Sequence, residues 1–339
     1  MSALEGPSLV TEAATGLYRT GLIRPLSFAA GYTSRRPTFP VLTYHRVNDE
    51  GDPFFGAVPT QVFEQHMAYI ARTYRVLTVE ELVERMQRGR LPRNALAITF
   101  DDGYRDTLTH AAPILARHRL PATVFLATGF IGTGEIPWFH RVGLAFKLTK
   151  AASVAAPWGE TLGLASEPGR VAAMERALDR LKGLPEASQK AQMDALLDVL
   201  GVADRADDKS LMLGWDDVHA LIGLGFSIGA HTVSHPILSR IGVERAREEI
   251  EGSRAMIGSA CGAAPRCFAY PNGGPEDYTD AIKRLVQNAG FTCAVTTRFG
   301  LNTRMTPPYE LRRGGPWEHH LPTFALKLAW YRAASPVWS

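Results

Sequence analysis

The sequence predicts an α/β fold in which a parallel sheet closes into a barrel, interrupted by a mainly helical insertion. Two observations carry this. Seven or eight short apolar runs, several of them β-branched, alternate with stretches of helical periodicity along most of the 339 residues. Between about 130 and 213 that rhythm stops, and helical apolar spacing covers 171–184 and 187–200 instead. A chain of this length that is 45% hydrophobic holds a sizeable core. Three parts follow: an N-terminal arm over 1–38, a barrel over 39–315 with its insertion at about 130–213, and a C-terminal amphipathic tail over 316–339.

Taken in order, 39–44 reads as a strand that ends at His45. Pro59 marks the entry to a helix from Thr60, with Val62, Phe63, Met67 and Ile70 on one face. After a short strand over 74–77, Thr78 and Glu81 form a capping-box pattern for a helix carrying Leu82, Val83 and Met86. The run 94–100 is short, apolar and partly β-branched, which suits a buried strand. It stops at Asp101 and Asp102, followed by Gly103. Two adjacent carboxylates repel each other and are costly to bury, so they need a cation, hydrogen-bond donors or solvent there. The alternative is that Asp102 caps a helix beginning near Tyr104.

Another strand is predicted over 122–126, after Pro121. Trp138, Phe139 and His140 open the insertion, where an aromatic cluster either reaches over a site or packs. Beyond it come a helix over 215–224, a strand over 226–230, and His231-Thr232-Val233-Ser234-His235-Pro236. A helix over 243–257 leads to the strand 267–270 and the turn Pro271-Asn272-Gly273-Gly274. A helix with Ile282, Leu285 and Val286, a strand over 292–295 and an extended piece over 309–311 complete the barrel. In the tail, Leu321, Phe324, Ala325, Leu328 and Tyr331 form one helical face, predicted to dock on the body.

Composition narrows the function. Against 37 basic residues stand 34 acidic ones, well mixed, for a net charge of +3, with no basic block to track a phosphate backbone. Nucleic acid is excluded as a partner on this ground. Cys261, Cys267 and Cys293 are odd in number and lack C-x-x-C spacing, and they read as reduced core thiols. No apolar run reaches membrane-spanning length, and Glu5, Glu12, Arg19 and Arg24 interrupt the start, so a cytoplasmic location is predicted. The segment 16–32 reads as an arm packed on the domain, with a membrane or partner surface as the alternative.

His231 and His235 stand four residues apart just after a strand, so one turn can aim both imidazoles at a common point. Asp101 and Asp102 also follow a strand, as do His45 and Pro271, and in a parallel barrel those ends share one face. Two neutral imidazoles and one carboxylate leave positions open for water and substrate, which suits Zn2+ and also Co2+, Ni2+ or Fe2+. A metal brings the pKa of bound water toward ~7, and the second carboxylate is then free to act as base. The oxyanion formed on a carbonyl needs a backbone N–H beside the metal, and the turn at Tyr270, Pro271 and Asn272 is a candidate.

Thr99-Phe100-Asp101-Asp102-Gly103 followed by the His231 to Pro236 stretch resembles the first two motifs of the polysaccharide deacetylases, the nodulation-type carbohydrate esterases of the fourth family. The resemblance covers roughly 39–132 and 214–313. It implies a distorted (β/α)7 barrel that removes N-acetyl groups from amino sugars with a divalent metal. Asp101 matches the family's base, and Asp102, His231 and His235 match its metal ligands. Tyr44-His45-Arg46-Val47, Phe268 to Gly273 and Trp215-Asp216 look most like the branch associated with bacterial exopolysaccharide synthesis.

The chain also departs from the pattern. Ala269 stands where many members have an arginine two residues before the proline of the third motif, so Arg312 or Arg313 is the expected substitute. The late leucine-x-histidine motif that carries the general acid is not evident, and His319 and His320 lie in Trp-Glu-His-His. His45 is the expected acid, with His319 second. The expected partner is an N-acetylated saccharide, with a peripheral contact to the inner membrane or to a glycan-synthesis complex in addition. A small non-sugar amide substrate and a catalytically idle saccharide-binding protein are the competing readings.

Overall fold

The computed structural model describes residues 9–23, 25, 38–202, 208, 210–315 and 318–333. The rest of the predicted arm, including 26–32, lies outside the described residues, as do Trp317, the chain beyond 333 and the Tyr331 side chain.

Strand β3 (Ala95–Phe100) shows how the sheet is put together. Its side chains alternate between two environments, as the period of a strand requires. Ala95 and Ala97 point into a central cluster with Val41, Phe125, Cys267, Cys293 and Leu311. Leu96, Ile98 and Phe100 point outward into the larger core under the helices. A strand apolar on both faces is the signature of a parallel sheet covered by helices.

Around β3 lie β1 (Val41–Tyr44), β2 (Arg75–Val76), β4 (Thr123–Leu126), β7 (Ser227–Ala230), β8 (Cys267–Ala269) and β9 (Cys293–Val295). All seven are parallel, in the order β1-β3-β4-β7-β8-β9, with β2 also on β3. The carbonyls of Asn94 and Leu96 face β2, and that of Asp102 faces the end of β4, whereas the amides of Ala97 and Asp101 face β1. β2 therefore occupies the lower half of the edge that β4 occupies higher up, which distorts the barrel. The seam between β9 and β1 is closed by an extended stretch and not by a full strand. Leu311 exchanges bonds with Ala294 and Thr296, and the Gly314 amide donates to the Val41 carbonyl.

Helices cover the outside: α2 (Thr60–Thr73), α3 (Val79–Gln87), α4 (Ala112–His118), α8 (Trp215–Gly223), α9 (Val243–Cys261) and α10 (Asp280–Asn288). Thr78 caps α3 through the reciprocal bond with Glu81 that its sequence signals. The terminal helices α1 (Leu9–Arg19) and α11 (Leu321–Ala333) complete the layer. Phe324 of α11 is fully buried and stacks on His66 of α2, so the tail docks on the body.

The segment between β4 and α8 holds α5 (Trp138–Leu148), the antiparallel pair β5 (Ser153–Ala155) and β6 (Thr161–Gly163), α6 (Glu167–Lys182) and α7 (Glu186–Leu200). It has its own core, with Phe146, Leu162, Ala177, Leu181 and Leu196 fully buried and Phe54 reaching in from the barrel. Cys267 and Cys293 face each other across β8 and β9 as free thiols inside the barrel, their sulfurs 2.9 Å apart. Among the described residues no helix is long and apolar enough to cross a membrane.

Candidate metal centre and active site

The site lies where the parallel strands end. β3 stops at Asp101, and Asp102 then takes a left-handed conformation, φ 72°, with Gly103 at φ 90° beside it. The helix after it begins with a π turn at Thr107, so Asp102 caps nothing. Thr232 (φ 67°), His235 (φ 57°) and Asn272 (φ 60°) are left-handed as well. Of five non-glycine residues with positive φ among those described, four are therefore at this one place. Such backbone is uphill by about 1–3 kcal/mol per residue and persists only where the surroundings enforce it.

Asp102, His231 and His235 form a cluster whose ligand atoms lie within 4.8 Å of one another. The Asp102 Oδ1 is 3.5 Å from His231 Nε2 and 3.4 Å from His235 Nε2. All three residues are buried, and among the described residues Asp102 Oδ1 and His235 Nδ1 have no hydrogen-bond partner. A buried carboxylate oxygen without a partner is costly unless a cation completes it. His231 Nδ1 lies 2.8 Å from the Ala269 carbonyl, which fixes the proton there and leaves Nε2 as a lone pair facing Asp102. The donor set, one carboxylate oxygen and two imidazoles, fits a divalent ion.

Burial opposes the ionised form of Asp102, but its contact with His231 and the nearness of His235 and His45 outweigh it and hold the carboxyl well below its usual range. For His231, burial is outweighed by Asp102 and Asp101, which raise it, whereas burial and the neighbouring His231 push His235 down to about 4.

The arginine on Asp101 is Arg313, not Arg312. Its Nη1 and Nη2 donate to Asp101 Oδ1 and Oδ2, each at 2.7 Å, and Nε donates to the Thr296 carbonyl. The guanidinium is fully buried inside the barrel, bonded to Thr99 Oγ1 and lying over the Phe125 ring. Burial alone would raise the Asp101 pKa; the Arg313 charge, helped by His231, lowers it below the usual carboxylate range. Successive residues of an extended chain face opposite ways, so when Arg313 points inward Arg312 does not. The Arg312 side chain lies against Gly300, and its amide is held by Asn302.

Tyr270 and Asn272 line the cavity, but the turn has few free donors. The Tyr270 amide donates to Val295 and its hydroxyl to the Tyr309 carbonyl, Pro271 has no N–H, and the Gly273 amide turns back to Pro271. Among the described residues the Asn272 N–H alone in this turn has no acceptor. Gly273 is required here: at φ 71°, a Cβ would lie 2.9 Å from the Thr297 nitrogen and 3.0 Å from the Tyr270 oxygen. His45, exposed at the end of β1, lines the same cavity. His319 does not: it is an exposed neighbour of His320, which bonds Thr323 at the start of α11, on the His66 side of the body.

Two supporting carboxylates escape a sequence reading. Glu249 on α9 is fully buried and accepts from the amides of Val233 and Ser234, the Ser234 hydroxyl and Arg245. It thereby fixes the loop that carries both histidines. Asp106 does the same for the loop after β1, accepting from Arg46 and Asn48. Both sit in stretches that read as ordinary helix surface. The cavity itself measures about 320 Å³, and the insertion supplies one of its walls with Trp138, Phe139, Leu178 and Lys182.

Comparison with known proteins gives the family and the fold. The family model described as polysaccharide deacetylase matches residues 88–294. The poly-β-1,6-N-acetyl-D-glucosamine N-deacetylase of Staphylococcus epidermidis is 30% identical over 92 residues, 27% of this chain and 31% of that protein. The match thus spans about a third of that curated relative. Among solved structures, IcaB from Ammonifex degensii superposes with a TM-score of 0.58 at 19% identity, covering 88% of this chain and 98% of that one. The Streptococcus pyogenes deacetylase PplD in complex with acetate gives 0.57 at 18%, covering 85% and 99%. At these identities the likeness to the solved structures is one of fold.

Proposed function

The chain belongs to the polysaccharide deacetylase family, and from that premise we propose that it is a metal-dependent hydrolase removing N-acetyl groups from amino-sugar units of an oligo- or polysaccharide, an exopolysaccharide or its precursor. The observation that carries this reading is the buried Asp102, His231 and His235 cluster beside a carboxylate, Asp101, that Arg313 keeps ionised.

A divalent ion held by Asp102, His231 and His235, Zn2+ foremost, would supply Lewis acidity to the attacking water and to the amide carbonyl. Asp101 accepts the proton of that water, and because Arg313 engages both its oxygens the carboxylate is fixed in place for the transfer. The Asn272 N–H faces the carbonyl oxygen as charge develops on it. His45 gives a proton to the sugar nitrogen as the C–N bond breaks, so amide and water become acetate and amine. Arg313 supplies beside Asp101 the guanidinium that Ala269 cannot, which supports an active enzyme over an idle saccharide-binding protein. The aromatic wall of Trp138 and Phe139 supports a saccharide over a small non-sugar amide.

Acetate release from N-acetylglucosamine oligomers by metal-stripped protein refilled with zinc or cobalt tests the proposal. Release should depend on the metal and fall by roughly 10²–10⁴ in Asp101→Asn; His235→Ala should abolish it together with metal retention. Metal binding with no acetate from any saccharide would sink the reading.

A further inference from the structure

The insertion wall brings a cation to the cavity. Ala173, Ala177 and Leu181 of α6 are buried in the insertion's own core, while Leu178 and Lys182, one turn apart, line the cavity. Among the described residues no carboxylate pairs with Lys182; Lys150 and Lys190 are unpaired as well, but Lys182 is the one that lines the cavity. The two carboxylates that line the cavity are already engaged, Asp101 by Arg313 and Asp102 by two histidines and any ion they hold. Lys182 thus faces a cavity whose two carboxylates are turned to Arg313 and to the histidine pair, inside walls of low dielectric that focus its field. The end of α6 does not require a lysine on this side. Arg180, in the same last turn, already serves that end while lying over the Trp158 ring.

Resting on the deacetylase reading, we infer that the substrate is an anionic saccharide: the acetylated sugar, or the unit beside it, carries a carboxylate or phosphate group that Lys182 binds. The aromatic pair Trp138 and Phe139 packs a sugar face, and Lys182 on the same wall distinguishes charged from neutral glycan.

Three probes test this: the neutral N-acetylglucosamine tetramer, a tetrasaccharide alternating N-acetylglucosamine with glucuronate, and UDP-N-acetylglucosamine, whose anion is a diphosphate. Acetate release and calorimetric binding are read on the zinc-loaded full chain, for the parent protein, Lys182→Gln and Lys182→Glu. The parent should favour at least one anionic probe, and that probe identifies the source of the charge. Lys182→Gln should lower the anionic-to-neutral ratio by about tenfold, as loss of one charge-assisted contact does. Lys182→Glu should lower it further, and added salt should erode the advantage. Binding needs no turnover. Anion-selective binding through Lys182 without acetate from any probe would remove the deacetylase reading and leave recognition of an anionic saccharide by Lys182 standing. Equal affinities for all three probes, or a ratio unmoved in Lys182→Glu with circular dichroism unchanged, overturns it.

Discussion

Two walls enclose the cavity, and they are held in shape by different means. On the barrel side, Asp102, Thr232, His235 and Asn272 all have left-handed backbone, and buried charges on Arg313 and Glu249 secure the loops. On the insertion side, Trp138, Phe139, Leu178 and Lys182 stand on regular helices with a separate apolar core behind them. On the proposed function this difference has a reason: proton transfer and metal binding tolerate little positional error and need backbone forced into place, whereas recognition of a flexible sugar tolerates more and ordinary helix faces suffice. The two walls should therefore respond differently to substitution.

The largest effect is expected at Arg313. Arg313→Leu leaves Asp101 buried and unpaired, which should destabilise the fold by about 3–5 kcal/mol, seen as a lowered denaturation midpoint. If Asp101 then becomes protonated, the pH profile of any residual turnover should move up.

Acid should distinguish the insertion from the α11 contact next. Burial, with the Arg46 charge, pushes His140 at the root of the insertion down to about 4, and burial likewise pushes His66 under α11 down to about 4. Below the ordinary histidine pKa the unfolded chain binds a proton that the folded one refuses. Stability is thus full above about pH 6.5 and is lost as pH falls toward 4, by on the order of 3 kcal/mol per histidine. His140→Phe should flatten the acid loss reported by the insertion tryptophans Trp138 and Trp158 and leave that of the α11 contact in place.

Glu249→Ala removes the acceptor for two loop amides and a hydroxyl, at about 1–3 kcal/mol. Cobalt affinity, read by its visible spectrum, should weaken with it. Trp138→Ala should give the smallest change, a KM raised several-fold with kcat nearly intact, because it removes packing and no reacting group.

The fold was largely legible because its signals are local. Runs such as Ala95–Phe100 announce buried strands, and the abrupt stop at two aspartates marks a strand end whatever lies opposite. The convergence of Asp101, Asp102, His231 and His235 followed from the rule that parallel strands finish on one face. What stayed hidden depends on which way a side chain turns in irregular backbone. Arg312 and Arg313 are indistinguishable in composition, and only the register of the seam decides between them. Glu249 belongs to Arg-Glu-Glu-Ile-Glu, where three glutamates look alike until α9 is rotated against the sheet. The direction in which the insertion presents Lys182 likewise depends on packing between two cores.

The clamp on Asp101 also sets an order of events. Arg313 follows Asp101 by 212 positions, on the stretch that closes the sheet, so the ribosome delivers the carboxylate long before its partner. Until the seam docks, that acid has no counter-charge and no reason to leave water. A chain that stops before Arg313 can lay down β1 to β9 and still lack the partner of Asp101. Docking of the closing stretch and fixing of the Asp101 carboxylate are thereby made one step, and a chain that stops short of Arg313 leaves that acid without its clamp.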